Sequence, residues 1–346
     1  MFQCYTYCLQ FKNPFVLATG TRSFTPSVFL KVEQDGCVGW GEATMPPYVA
    51  ETQESVIRFI HQLNKVRINT SDELNEYFEY LYSFTGNFFA KAAVNNALLN
   101  WWAKKQHISL SDFFNLKTKE PAPDCCFTIT KGDVPGKISV ESKKFSLLKI
   151  KAGFDDDTDF IRTVAASGSA KICIDANQGW KNAETALQKI QQLKGLNIVF
   201  IEQPLPAAAY DEMKKLKPQS PFTLLADESF QTIDDLPKIE NCFHGINIKL
   251  MKCGGLTQAY RIALAAQASG LKMLMGCMSE SSCGIAAAAT LQPLMNWVDL
   301  DGPLLISNDP FSGISYENGK VISAKNIQPL EHLLHQHEMM PGRSAC

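Results

Sequence analysis

The spacing of apolar residues changes character about a third of the way along the chain. Phe2–Phe11, Ser27–Val32 and Val38–Glu42 carry strand-forming residues, and Gln34-Asp35-Gly36 supplies turn chemistry between the last two. Thr52–Leu63, Ser71–Tyr82 and the Ala-rich Phe89–Lys105 then show helical periodicity. Strands first and helices afterwards predict a separate α+β unit. The polar, Pro-containing stretch Lys117–Pro123 cannot continue a helix and marks a boundary.

Beyond it, short apolar runs alternate with helix-length segments. The runs are Cys126–Thr130, Leu147–Lys151, Ile172–Asp175, Ile198–Glu202, Phe222–Asp227, Gly245–Lys249, Leu271–Gly276 and Trp297–Asp301. Runs of this length, bounded by polar residues, are what strands buried on both faces look like. Their recurrence every 25 or so residues predicts a (β/α)₈-type barrel. The segment from Asn318 onward lacks a further βα unit and is expected to pack back on the first domain.

Composition narrows the partners. Hydrophobic residues make up 45% and charged residues 20%, with a formal net charge of −2. No strong field favours nucleic acid or an anionic membrane surface, and no stretch approaches the roughly 20 apolar residues that span a bilayer. A small-molecule partner is the better expectation. The 11 cysteines form no CxxC pair, so neither a zinc site nor a disulfide framework is indicated. Free thiols and an N-terminus without signal-peptide features fit a cytoplasmic protein.

The informative feature is the ionisable residue at the end of nearly every run: Lys149 and Lys151, Asp175, Glu202, Asp227, Lys249, Asp299 and Asp301. In an α/β barrel the C-terminal strand ends converge on one face, where catalytic groups collect. Asp175, Glu202 and Asp227 fall on consecutive strands. Three carboxylates brought together repel unless a cation sits between them, and oxygen-only ligation suits Mg²⁺. The competing reading is that each acid caps a following helix or pairs with a lysine. Lys149 and Lys151 share a strand face. Two ammonium groups so close are expected to lower the pKa of at least one, as a lysine base requires. Lys249 lies across the barrel, so one base stands on each face of a substrate carbon, as an epimerase needs. A solvated lysine at a loop start is the alternative.

In that order and spacing, LLKIKAG, CIDANQGW, FIEQPL, LLADES and NIKLMKCGG resemble the muconate lactonising enzyme branch of the enolase superfamily, and GWGEA extends the likeness over essentially the whole chain. The resemblance implies a modified TIM barrel, (β/α)₇β, at residues 119–318. An N-terminal α+β capping domain would occupy 1–118, and residues 319–346 would return to it. It also implies the superfamily's known chemistry, a Lys or His base with one or two Mg²⁺ ions. By this likeness Lys151 and Lys249 are the acid/base pair, and Asp175, Glu202 and Asp227 hold one Mg²⁺ per subunit, with Mn²⁺ as a substitute. Lys149 would tune its neighbour and touch the substrate carboxylate, Lys252 is not the base, and Asn177 plays a supporting part.

Within that branch, Asp299 and Asp301 in WVDLDGPLL resemble the pair with which dipeptide epimerases bind a substrate α-ammonium group. Muconate cycloisomerases and o-succinylbenzoate synthases act on acids without such a group, so two buried anions would serve them poorly. Local turn bonds before Gly302-Pro303 are the bland alternative. Cys277, Met278 and Ser279 match a segment whose backbone contacts the dipeptide. Thr128 matches a substrate-proximal position, with backbone satisfaction as its competitor. Arg22, in a loop Thr19–Arg22, is suited to pair with a glutamate side chain; some relatives carry this arginine two positions earlier, where the chain has Gly20. The expectation is a dipeptide epimerase of the L-Ala-D/L-Glu type, active in murein peptide metabolism through a two-lysine 1,1-proton transfer and a metal-stabilised enediolate. Assembly as a homo-oligomer is compatible with it. A non-catalytic barrel used for binding would not keep every acid and lysine the chemistry needs.

Overall fold

The computed structural model describes residues 2–17, 20–64, 67–133 and 135–334. The chain opens with an antiparallel sheet of β1 (Phe2–Leu17), β2 (Gly20–Gln34) and β3 (Cys37–Thr44). Asp35 and Gly36 turn β2 into β3 with φ of 53° and 73°, the left-handed pair that a tight hairpin requires. β1 and β2 run past the expected strands: a register shift between Gln10 and Phe15 lets pairing resume as Phe15 opposite Arg22 and Leu17 opposite Gly20. Arg22 therefore sits on a strand, not in a loop; Thr19 lies outside the described residues.

Three helices follow, α1 (Gln53–Gln62), α2 (Ser71–Ser83) and α3 (Phe88–Lys105). Thr52 and Thr70 close capping boxes at the first two, satisfying amides that would otherwise lack partners. α3 packs on β3 through Gly39 and Gly41: a Cβ on Gly41 would lie 2.0 Å from the Ala93 carbonyl oxygen, and one on Gly39 2.1 Å from that of Ala97. Glycines thus let helix backbone rest on strand backbone, which explains the GWG of GWGEA.

Eight parallel strands form the second sheet: β4 (Cys126–Ile129), β5 (Leu147–Lys151), β6 (Lys171–Asp175), β7 (Ile198–Glu202), β8 (Thr223–Ala226), β9 (Gly245–Lys249), β10 (Lys272–Gly276) and β11 (Trp297–Val298). They are ordered sequentially, and a bridge between Cys125 and Val298 joins the ends into a nearly closed barrel. Helices occupy all seven intervals between them, giving the expected (β/α)₇β architecture. Cys126, Leu147, Cys173, Phe200, Leu225 and Leu274 fill one interior layer, so the barrel is plugged by side chains. Above that layer the register sets Lys151 opposite Asp175 and Asp175 opposite Glu202.

Several strands end earlier than their apolar runs suggest. β8 stops at Ala226 and β11 at Val298, leaving Asp227, Asp299 and Asp301 on the segments just beyond. A two-residue β11 cannot impose the strand period on Asp299 and Asp301. Gly302-Pro303 opens a short helix (Gly302–Leu305) at that point, where Pro is favoured because it needs no N–H partner. A last hairpin, β12 (Phe311–Glu317) and β13 (Lys320–Pro329), has its turn where the 318/319 domain boundary was expected. Phe311 stacks 5.1 Å from Phe29 and 5.3 Å from Trp40, and Ile327 joins Tyr5, Tyr7 and Leu9 in the same core. Residues 335–346 lie outside the described residues.

Cysteines 4, 37, 125, 126, 173, 242, 253, 277 and 283 are free, whereas Cys8 is disulfide-bonded. The expectation of free thiols throughout is thus corrected at Cys8; an odd, scattered set of cysteines carried no pairing signal. Among the described residues no helix is long and apolar enough to cross a membrane.

Candidate active site

A cavity of about 350 Å³ opens at the C-terminal rim of the barrel, under the β1–β2 hairpin of the capping domain. Lys151, Lys249, Asp227, Asn177, Thr128, Asp299 and Asp301 line it, and so do Arg22 and the stretch Cys277–Ser279. Lys149, Asp175 and Glu202 lie just beneath, at most 1% exposed. A larger cleft of about 950 Å³ between barrel and C-terminal hairpin adjoins it, sharing Phe15 and Thr128, but none of the three acids lines that cleft.

Lysines knit the acids together. Lys149 Nζ lies 3.1 Å from Asp175, 2.8 Å from Glu202 and 2.7 Å from Asp299. Lys151 donates to Asp175 Oδ2 at 2.7 Å, and Lys249 donates to Asp227 Oδ2 at 2.7 Å. Lys252 donates to Asp227 Oδ1 at 2.6 Å and to the Asp227 and Asn247 carbonyls. Asn247 in turn donates to Glu202 Oε1 at 2.7 Å. Each acid therefore pairs with a lysine, as one of the competing readings anticipated. None caps a helix: the helix after β6 is capped by Asn182.

The electrostatics of Lys149 run opposite to the effect of a neighbouring ammonium. Burial disfavours the charge on Lys149, but Asp175, Asp299 and Glu202 outweigh it and raise its pKa well above the ordinary lysine value. Lys249 is raised likewise, with Asp227 and Glu202 overcoming burial. The neighbouring-ammonium argument failed at Lys149 because its partners come from other strands, which local spacing does not reveal. Burial opposes ionisation of Asp175, yet Lys149 and Lys151 hold its carboxyl at about 2. Glu202 is pushed up to about 7, first by burial and then by the charge of Asp175.

Among the described residues no three acidic, His or Cys side chains already form a ligand cage; lysine ammoniums stand between the carboxylates. The donor set nonetheless fits a divalent cation. Lys149, Lys151, Lys249 and Lys252 face Asp175, Glu202, Asp227, Glu228, Asp299 and Asp301. Four amines face six carboxyls, and burial followed by neighbouring acids pushes Glu202, Glu228 and Asp301 up to about 7, so a further cation would favour their ionised forms. Glu202 Oε2 accepts no hydrogen bond, even though Lys149 lies beside it, and Glu228 Oε2 and Asp299 Oδ1 also lack donors. Buried oxygens without donors are what a hard cation satisfies.

Sequence reasoning passed over Glu228, which is pushed up to about 7 by burial and by Asp227. It accepts from Asn177 Nδ2 at 3.3 Å, and its signal was the second acid of LLADES. Asn247 was also missed, although it stands two residues before Lys249 on the same strand face. The Thr128 amide donates to Asp301 Oδ2 at 2.7 Å, which ties the first strand to the last. Asp301 is pushed up to about 7 by burial and then by Asp299. Arg22 is packed among Phe11, Phe15 and Tyr48, 5.5–5.6 Å from each ring centre. Among the described residues no carboxylate pairs with it, its Nε lacks an acceptor, and burial lowers its pKa.

Residues 2–114 match the mandelate racemase/muconate lactonizing enzyme N-terminal domain, and residues 137–300 match the enolase C-terminal domain-like family. This chain belongs to the enolase superfamily. Among relatives of this superfamily member, the L-Ala-D/L-Glu epimerase of Bacteroides thetaiotaomicron is 39% identical, over 92% of this chain and 84% of its own. The substrate-liganded L-Ala-D/L-Glu epimerase of Bacillus subtilis superposes with a TM-score of 0.85 at 28% identity, covering 95% of this chain and 96% of its own. A dipeptide epimerase of Enterococcus faecalis, complexed with Mg and L-Leu-L-Tyr, gives 0.84 at 26% identity over 95% and 98%.

Proposed function

We propose that the protein is a Mg²⁺-dependent dipeptide epimerase that inverts the α-carbon of the C-terminal residue, with L-Ala-D/L-Glu as its preferred pair. Such a substrate belongs to murein peptide metabolism. The observation that carries the reading is the pairing of two features in one cavity. Lysines reach it from strands four places apart, and Asp299 and Asp301 flank it at the last strand. The 39% identity to an L-Ala-D/L-Glu epimerase supports it.

Asp175, Glu202 and Asp227 are the residues to hold the cation, whose charge would offset the negative charge that builds on a substrate carboxylate. The chain's own groups do the rest. Lys151 and Lys249 stand on opposite sides of the cavity, so one removes the α-proton while the other returns a proton to the far face. Lys149, fully buried and held protonated, adds a fixed positive charge beside the substrate carboxylate. Asp299 and Asp301 take the α-ammonium, which discriminates against acids that lack one. Arg22, half-buried and free of a carboxylate partner among the described residues, supplies a charge-assisted contact for a glutamate side chain.

The test is a panel of L-Ala-X dipeptides incubated in D₂O with Mg²⁺, read by mass spectrometry for one-deuteron gain at the C-terminal α-carbon. L-Ala-L-Glu should exchange fastest. Absence of exchange with every dipeptide would overturn the reading, and exchange confined to aliphatic X would remove only the glutamate preference.

A further inference from the structure

Glu42 and Glu280 are buried carboxyls that the proposed chemistry does not use. Glu42 sits at the end of β3 in the capping sheet and is 0% exposed; Glu280 follows the cavity-lining stretch Cys277–Ser279 and is 1% exposed. They back onto the same glycine: a Cβ on Gly284 would lie 2.3 Å from Glu280 Oε2 and 3.0 Å from Glu42 Oε2.

Their surroundings differ. Glu42 accepts four hydrogen bonds, from Thr44 Oγ1 at 2.5 Å, Ser281 N at 3.0 Å, Ser281 Oγ at 2.6 Å and Gly284 N at 2.8 Å. Two of these donors are amides at the start of the barrel helix Ser282–Ala289, a position that favours an anion. Glu280 accepts one, from the Met278 amide to Oε1 at 2.9 Å, and its Oε2 has no partner. Burial raises the Glu42 pKa and its four donors pull against that; Glu280, with a single donor and a bare Oε2, has less to hold a negative charge.

The geometry points to a latch in which Glu280, packed with Glu42 around Gly284, positions the Cys277–Ser279 rim of the cavity against the capping domain. Ser279 needs such support, since its φ of 72° is unusual for a non-glycine residue. The chain of contacts runs from β3 through Glu42 to Ser281 and Gly284, and from Glu280 to the Met278 amide. Glu280 is therefore a positioning residue, and ionising it would put two anions on one buried glycine.

Charged groups nearby set the direction. Burial first, and the Glu42 charge second, push the Glu280 carboxyl up to about 8, with Lys249 acting weakly the other way. The adjacent thiols of Cys277 and Cys283 are both raised and stay neutral. Lys104 and Asp309 act on Cys283 in opposite senses. The folded protein thus holds a proton that the unfolded chain releases in the ordinary carboxylate range. Stability from this site is greatest at low pH and is lost as pH rises toward about 8.

The inference uses the proposed epimerase reaction only for its kinetic readout; the thermal readout is independent of it. Thermal unfolding and dipeptide kinetics are measured from pH 6 to 9 on the Mg²⁺-loaded wild type, Glu280→Gln and Glu280→Ala. Gln keeps the acceptor for the Met278 amide and replaces the titratable carboxyl with an uncharged amide. Wild type should lose Tm from pH 6 to 8 and level off above that, while its KM rises through 8; Glu280→Gln should flatten both profiles. Glu280→Ala should raise KM several-fold at every pH with little change in kcat. A Glu280→Gln protein that follows the wild-type profiles, or that fails to fold, would overturn the latch. A wild type that turns over no dipeptide, yet shows the Tm difference from Glu280→Gln, would sink the epimerase reading alone.

Discussion

Lys151 on β5 and Lys249 on β9 stand four strands apart in the eight-stranded barrel, and each donates at 2.7 Å to a different acid, Asp175 and Asp227. The two amines approach the cavity from opposite walls, each already paired with a carboxylate of the proposed cation site. Acid/base capacity and metal capacity would therefore be coupled, because Asp175 and Asp227 are at once the proposed cation ligands and the partners of the two amines.

From this arrangement, Lys151→Ala and Lys249→Ala should each lower epimerisation by about 10²–10⁴-fold, the usual contribution of a positioned acid or base. Each single variant should still wash deuterium into the enantiomer that its surviving lysine can reach. Mass spectrometry of both enantiomers in D₂O checks this. Wild-type exchange of both enantiomers in either variant would contradict the two-wall geometry.

Asp301 gives a pH prediction. Its carboxyl is pushed up to about 7 by burial and Asp299, so below that pH it is protonated and a poor partner for an α-ammonium. In the acid range kcat/KM should climb as pH rises toward 7, chiefly through a falling KM, because the anionic form binds. Asp301→Asn should raise KM and remove that part of the pH dependence. An unchanged acid limb in Asp301→Asn assigns the dependence elsewhere.

How far the sequence could be read follows from where each signal was local. The strand-end positions of Lys149, Lys151, Asp175, Glu202 and Lys249 were legible because each ends an apolar run, and run lengths predict strands buried on both faces. Asp227, Asp299 and Asp301 were legible as residues but not as strand positions, since a polar residue closing a run does not reveal where pairing stops. The protonation of Lys149 was out of reach: Asp299 lies 150 residues away, and no local pattern reports a partner brought in by barrel closure. The same holds for Arg22, whose placement depends on a register shift in β1. Glu42 and Glu280, 238 positions apart in the numbering, meet only because the capping domain docks on a barrel helix.

Arg22 carries the specificity prediction. A charge-assisted hydrogen bond contributes about 1.5–3 kcal/mol, so Arg22→Ala should cut kcat/KM for L-Ala-L-Glu by about 10–100-fold. L-Ala-L-Leu should change little or improve, since removing a half-buried cation opens apolar space beside Phe15 and Tyr48. An equal loss for both dipeptides would mean that Arg22 supports the hairpin and does not read the side chain.

Removing the metal should separate activity from folding. Chelation is expected to stop turnover, and added Mg²⁺ to restore it, with far-ultraviolet circular dichroism unchanged. The reason lies in the lysines: Lys149, Lys151, Lys249 and Lys252 give Asp175, Glu202 and Asp227 cationic partners when no cation is present. The acids sit above the apolar layer of Cys126, Phe200 and Leu274, which holds the barrel by burial alone. The metal should still raise Tm in a concentration-dependent way, because a ligand that binds only the folded state stabilises it. Full turnover in a verified metal-free sample would refute the proposed role of the acids, and wholesale unfolding on chelation would show that the lysine pairing does not suffice to hold them.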